Sequence, residues 1–89
     1  MVKVQTFEIK NKMGIHARPA AKLVNVANAF KSKISLARDG QSVSSKSVLS
    51  ILTLACPRGS LVTVKAEGKD AEDAVAAVGK LIEDKFGEE

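Results

Sequence analysis

The chain contains one histidine, His16, inside the stretch "NKMGIHARPAAKL" at residues 11–23, with Arg18 two residues later and Pro19 three later. These types at this spacing suit phosphoryl chemistry. A lone histidine near a helix start is ordinarily a solvated polar residue; its neighbours here point further. If a helix begins at Ala17, His16 stands at its N-cap, and the first-turn amides have no partner inside the helix. Those amides and the helix dipole attract an anion, a phosphoryl group among them. Pro19 falls in the first turn, where its missing N–H removes no helix bond, so the Ala17 and Arg18 amides stay available. Arg18 adds a permanently charged fork matched to phosphoryl oxygens. Ala17 is small and leaves the approach open, and Gly14 permits a sharp turn just before. A neutral imidazole nitrogen can attack phosphorus, and the positive surroundings then stabilise the product. A complete enzyme would need a further base or a metal, and no metal-ligand cluster is visible in the sequence. The pattern therefore predicts a phosphoryl acceptor rather than a catalyst, with no cofactor.

Several elements must position this histidine. "VKVQTFEIK" at 2–10 reads as a strand with Phe7 and Ile9 on one face and Val2 and Val4 on the other. Which face is buried at its start stays open. Asn11 and Gly14 punctuate a loop over 11–16. From Ala17, apolar residues recur at helical spacing through Ala20, Leu23, Val24, Ala27 and Phe30. "KISLAR" is a strand, and Asp39-Gly40 signals a two-residue hairpin turn into "QSV". "SVLSILTL" at 47–54 suits a short helix capped by Ser47, although a strand is compatible with the same run. "SLVTVKA" is a strand with Val62, Val64 and Ala66 on one face. Asp70 then caps a last helix whose buried face reads Ala71, Ala74, Val75, Val78, Leu81, Ile82 and Phe86, with Gly87 ending it. The order β-α-β-β-α-β-α predicts an α+β fold with a four-stranded antiparallel sheet and helices on one face.

Composition narrows the function classes. Eighty-nine residues suit one domain, 1–89. The net charge of +4 comes from scattered lysines rather than a basic stripe, and only three aromatic residues exist, all Phe. A nucleic-acid surface is thus not expected, since stacking aromatics are lacking and Phe7, Phe30 and Phe86 read as core. An acylphosphatase-like enzyme would need a glycine-rich phosphate loop near the first strand, which is absent. Cys56 is alone and reads as a packing group, so a disulfide framework is not expected. Neither a membrane-spanning run nor a secretory signal pattern is present, and the expected location is the cytoplasm.

"GIHARPAAKL" at 14–23 closely resembles the phosphorylation motif of the HPr family, the histidine-containing phosphocarriers of the bacterial phosphoenolpyruvate-dependent phosphotransferase system. The resemblance continues through "KSVLSILTL" at 46–54, "PRG" and "LVTVKAEG". It implies an open-faced β-sandwich, four antiparallel strands with three helices on one side. It also implies that His16 accepts a phosphoryl group on Nδ1 from phosphorylated enzyme I and passes it to enzyme IIA domains, in sugar uptake. Arg18 and the Ala17 amide would steady the group. Val48, Leu49 and Leu52 match an apolar patch that docks partners, and the expected state is a monomer without membrane insertion. Ser47 matches a regulatory serine phosphorylated by HPr kinase/phosphorylase in some bacteria, although it serves equally as a plain N-cap. Ser50 stands where related sequences often have glycine. "NKMGIHARPAAKL" also resembles the nitrogen-regulatory branch of the family, the alternative to sugar transport.

Overall fold

The computed structural model describes residues 1–88. The chain forms strand β1 (Val2–Glu8), helix α1 (Ala17–Ala27), strands β2 (Lys33–Arg38) and β3 (Gln41–Ser44), helix α2 (Val48–Leu52), strand β4 (Leu61–Glu67) and helix α3 (Ala71–Glu83). A single 3₁₀ turn over Lys85–Gly87 follows. The four strands make one sheet in the order β1-β4-β2-β3, with every neighbouring pair antiparallel. The helices cover one face and leave the other open, the α+β arrangement expected.

Alternation along the strands decides which face is covered. Phe7 on β1, Ile34 and Leu36 on β2, and Val62, Val64 and Ala66 on β4 are buried beneath the helices. The β1 ambiguity resolves in favour of Phe7: Val2 and Val4 are exposed on the open face, where Thr6 and Thr63 join hydroxyls at 2.9 Å. Their neighbours across the ladder are Glu67 and Lys65, so no apolar cluster is available to draw the two valines inward. From the other side α1 contributes Ala20, Leu23 and Ala27, α2 contributes Ile51, and α3 contributes Ala74, Val75, Val78 and Ile82. Apolar burial of this kind, about 25 cal/mol per Å², supplies the main stabilisation.

Local signals explain most of the boundaries. Asp39 (φ 51°) and Gly40 (φ 84°) both take positive φ, and the Arg38–Gln41 pair closes the two-residue turn between β2 and β3. Ser47 caps α2, its Oγ accepting the Ser50 amide at 3.2 Å. The 47–54 run is thus a helix, but only five residues long.

Two expectations near α3 are corrected. Asp70 occupies the N-cap position but its carboxylate makes no cap bond. It accepts instead from the Lys31 and Ser32 amides, each at 2.9 Å, and from the Ser32 hydroxyl. Several donors outweigh one cap bond, so Asp70 fastens the segment entering β2 to the start of α3. The helix also stops at Glu83, before Phe86. Lys85 and Phe86 both take φ 57° and Gly87 φ 75°, which turns the chain back and sends the Phe86 ring fully into the core. The ring is buried as the helical spacing expects, but from a turned-back tail rather than from α3, and its burial offsets the left-handed backbone cost of about 1–2 kcal/mol per residue.

Candidate functional site

The loop before α1 is held by backbone bonds. Gly14 donates to Asn11 O at 3.1 Å, and Ile15 donates to Cys56 O at 2.8 Å. Gly14 has φ +68°, and a Cβ there would lie 2.3 Å from Cys56 O and 2.8 Å from Pro57 Cα. Only glycine lets the loop pass this close to the segment after α2. Ile15 is buried, which locks the residue before His16.

His16 is the N-cap residue of α1, with extended backbone (φ −97°, ψ −165°) and no cap bond from its side chain. Its carbonyl accepts the Ala20 amide at 3.0 Å, closing the first turn. Pro19, buried in that turn, has no N–H to donate. Among the described residues, no hydrogen bond occupies the amides of Ala17 or Arg18. Both residues are exposed, and the Arg18 guanidinium has no ion-pair partner there. The histidine side chain is 38% exposed. A half-open imidazole, two free amides, a helix N-terminus and an unengaged guanidinium thus share one end of α1. Such a place accepts a tetrahedral oxyanion.

One contact of the His16 ring was invisible in the sequence. The Glu88 carboxylate reaches the ring, with Nε2 lying 3.1 Å from Oε2 and 3.4 Å from Oε1. Buried Asn11 donates from Nδ2 to Glu88 Oε1 at 3.1 Å and to Gly14 O at 2.7 Å. Lys22 donates to Phe86 O at 2.5 Å, which secures the same tail from α1. Partial burial works against the charge on Glu88. The Asn11 and His16 hydrogen bonds and the nearby Lys22 charge outweigh it, so its carboxyl titrates below the ordinary glutamate value. No sequence signal could have marked Glu88, an ordinary acid 72 residues from His16.

The remaining predicted residues divide. Ser47 is half-buried and carries its cap bond. Leu49 is 78% exposed, whereas Val48 and Leu52 are half-buried and pack against the core. The three therefore do not form a uniformly exposed patch; Leu49 projects and the other two support it. Met13, 69% exposed in the loop before the histidine, is an additional apolar group that the sequence reading passed over. Cys56 is buried and, as expected, packs in the core; desolvation raises its thiol pKa. No helix among the described residues is long and apolar enough to cross a membrane.

Comparison with known proteins agrees with the fold and the motif. Residues 3–84 match the family model described as "PTS HPr component phosphorylation site". The chain is 41% identical over 80 residues to a phosphocarrier protein HPr of Cupriavidus necator, covering 90% of each chain. Among solved structures, it superposes on HPr-C-His from Thermoanaerobacter tengcongensis with a TM-score of 0.94 at 48% identity, covering 98% of both chains. A structure of the HPr dimer from the same organism matches with a TM-score of 0.78 at 48% identity, covering 92% of this chain and 94% of that one.

Proposed function

This chain belongs to the HPr family of phosphotransferase-system phosphocarriers, and from that premise we propose that His16 is its phosphoryl acceptor. In this reading Nδ1 takes the group from phosphorylated enzyme I and hands it to a histidine of an enzyme IIA domain, in sugar uptake. The observation that carries the reading is the half-exposed His16 ring at a helix start whose Ala17 and Arg18 amides are uncommitted. Those amides and the Arg18 guanidinium stabilise the phosphoryl oxygens, while the partners supply the rest of the chemistry. The protein is thus a carrier that works in the cytoplasm. Leu49 leads partner docking, with Val48 and Leu52 beneath it. A net charge of +4 favours acidic partner surfaces and fast, transient encounters.

The test is direct. The protein is incubated with enzyme I and phosphoenolpyruvate and then weighed. One acid-labile phosphoryl group, absent in His16→Ala, is expected; no mass gain with any cognate enzyme I sinks the reading. The nitrogen-regulatory alternative is separated by offering the phosphorylated protein to enzyme IIA domains of each branch.

Ser47 is proposed as a second phosphorylation site, for HPr kinase/phosphorylase with ATP. Its Oγ already faces the start of α2, so a phosphate there is tolerated by the fold. It adds negative charge beside Leu49 and weakens docking on acidic partners. Ser47→Asp accepting phosphoryl from enzyme I at the unmodified rate would count against that regulation. The protein acts as a monomer in this reading. Since a related HPr forms a dimer, sedimentation across a concentration series checks the point.

A further inference from the structure

We propose that Glu88 is a positioning residue that fixes the His16 tautomer and thereby directs the phosphoryl group to Nδ1. The inference rests on the reading of His16 as phosphoryl acceptor and goes beyond it by naming what prepares the ring.

An ionised carboxylate can only accept hydrogen bonds. Glu88 is kept ionised by the Asn11 amide and the Lys22 charge. With both its oxygens within 3.4 Å of Nε2, the ring must present N–H there. In a neutral imidazole the other nitrogen then carries the lone pair, so Nδ1 is the nucleophile. In an acceptor the same contact that holds the ring also selects the reacting atom.

The transfer step balances without a proton shift on this side. The Nδ1 lone pair forms the new N–P bond. The P–N bond of the donor's phosphohistidine breaks, and its electron pair returns to the donor imidazole nitrogen. Nε2 keeps its hydrogen throughout, and the ring becomes cationic. The Glu88 carboxylate then faces a cation instead of a neutral N–H, an interaction that strengthens as the bond forms. Asn11 is buried and holds both Gly14 O and Glu88, so the carboxylate is oriented by the loop that carries the histidine. Lys22 and Phe86 secure the backbone leading to it.

The experiment uses the full chain with ¹⁵N-labelled histidine, at a pH where the ring is neutral. Ring nitrogen shifts report which atom carries the proton. Wild type is expected to show the hydrogen on Nε2 almost exclusively. In Glu88→Ala the share with the hydrogen on Nδ1 should rise roughly threefold or more, a charge-assisted bond discounted for solvent exposure. Glu88→Gln keeps the shape and an acceptor oxygen and should fall between. Enzyme I-dependent phosphorylation of Glu88→Ala should show a lowered kcat at unchanged KM. An unchanged tautomer ratio in both variants, with His16 still phosphorylated, overturns the role of Glu88 and leaves the carrier reading intact. Wild type that is never phosphorylated overturns the carrier reading, while the nitrogen shifts still decide whether Glu88 sets the tautomer.

Discussion

Gly14→Ala tests whether the close approach before His16 is indispensable. Two costs add at this position. Alanine at φ +68° incurs the left-handed penalty, about 1–2 kcal/mol. Its Cβ also lies 2.3 Å from Cys56 O and 2.8 Å from Pro57 Cα, both backbone atoms that no side-chain rotation can move. Overpacking of this kind costs about 1–3 kcal/mol. Opening the gap instead stretches the 2.8 Å bond from the Ile15 amide to Cys56 O, worth roughly 0.5–1.5 kcal/mol. The total is about 4 kcal/mol, which for a domain of this size lowers Tm by roughly 15–30 °C. Gly59 provides the control: its φ is +90° but a Cβ there meets nothing within 4 Å. Gly59→Ala should lose only the backbone penalty, about 1–2 kcal/mol, or roughly 4–16 °C by the same conversion. Thermal unfolding followed by circular dichroism reads both. If Gly14→Ala melts within about 3 °C of Gly59→Ala, the close contact is not what demands glycine, and the reasoning fails.

Other perturbations reach the rest of the site and its frame. Asn11→Asp replaces a buried donor with an acceptor facing Gly14 O and Glu88, and should cost about 1–3 kcal/mol in urea unfolding at neutral pH. Leu49→Asp should leave Tm within about 2 °C of wild type, because the side chain is exposed, yet raise the KM for phosphorylation by enzyme I several-fold. Asp70 is held below its ordinary value near 3.8, first by the Ser32 hydroxyl and then by the Lys31 amide. Its stabilising effect is therefore present above that value and is lost as pH falls through the lower folded one. Asp70→Asn should be less stable than wild type at neutral pH, and the two urea midpoints should converge in strong acid.

Much of this architecture was legible because local chemistry and burial agree. Alternation in "SLVTVKA" marks the face of β4 that the helices cover, and Asp39-Gly40 takes the two positive φ values its turn demands. His16, Arg18 and Pro19 were readable because a helix start is a local event. The opening of β1 was ambiguous because valines on one face compete with Phe7 on the other, and only tertiary packing decides. The 47–54 run has an apolar density compatible with either periodicity. Asp70 looked like a cap because sequence shows its neighbours along the chain and not the Lys31 and Ser32 amides. Glu88 was illegible for the same reason, since its significance arises only when Phe86 buries and turns the tail onto α1.

That turned tail is expected to open as a unit of its own, a prediction that hydrogen exchange can check. Phe86, the Lys22 bond to its carbonyl and the Glu88 contacts lie outside the four-stranded ladder, so they should detach together at less cost than global unfolding. In the detached state His16 still sits at its helix start but its ring rotates without a carboxylate partner. The fraction of molecules with a prepared histidine is thus set by the stability of one aromatic anchor rather than by that of the whole domain. Native-state hydrogen exchange at the Gly87 and Glu88 amides, which donate to Asp84 O and Lys85 O, measures that fraction. Trimming the Phe86 ring should deplete the prepared ring well before the sheet melts.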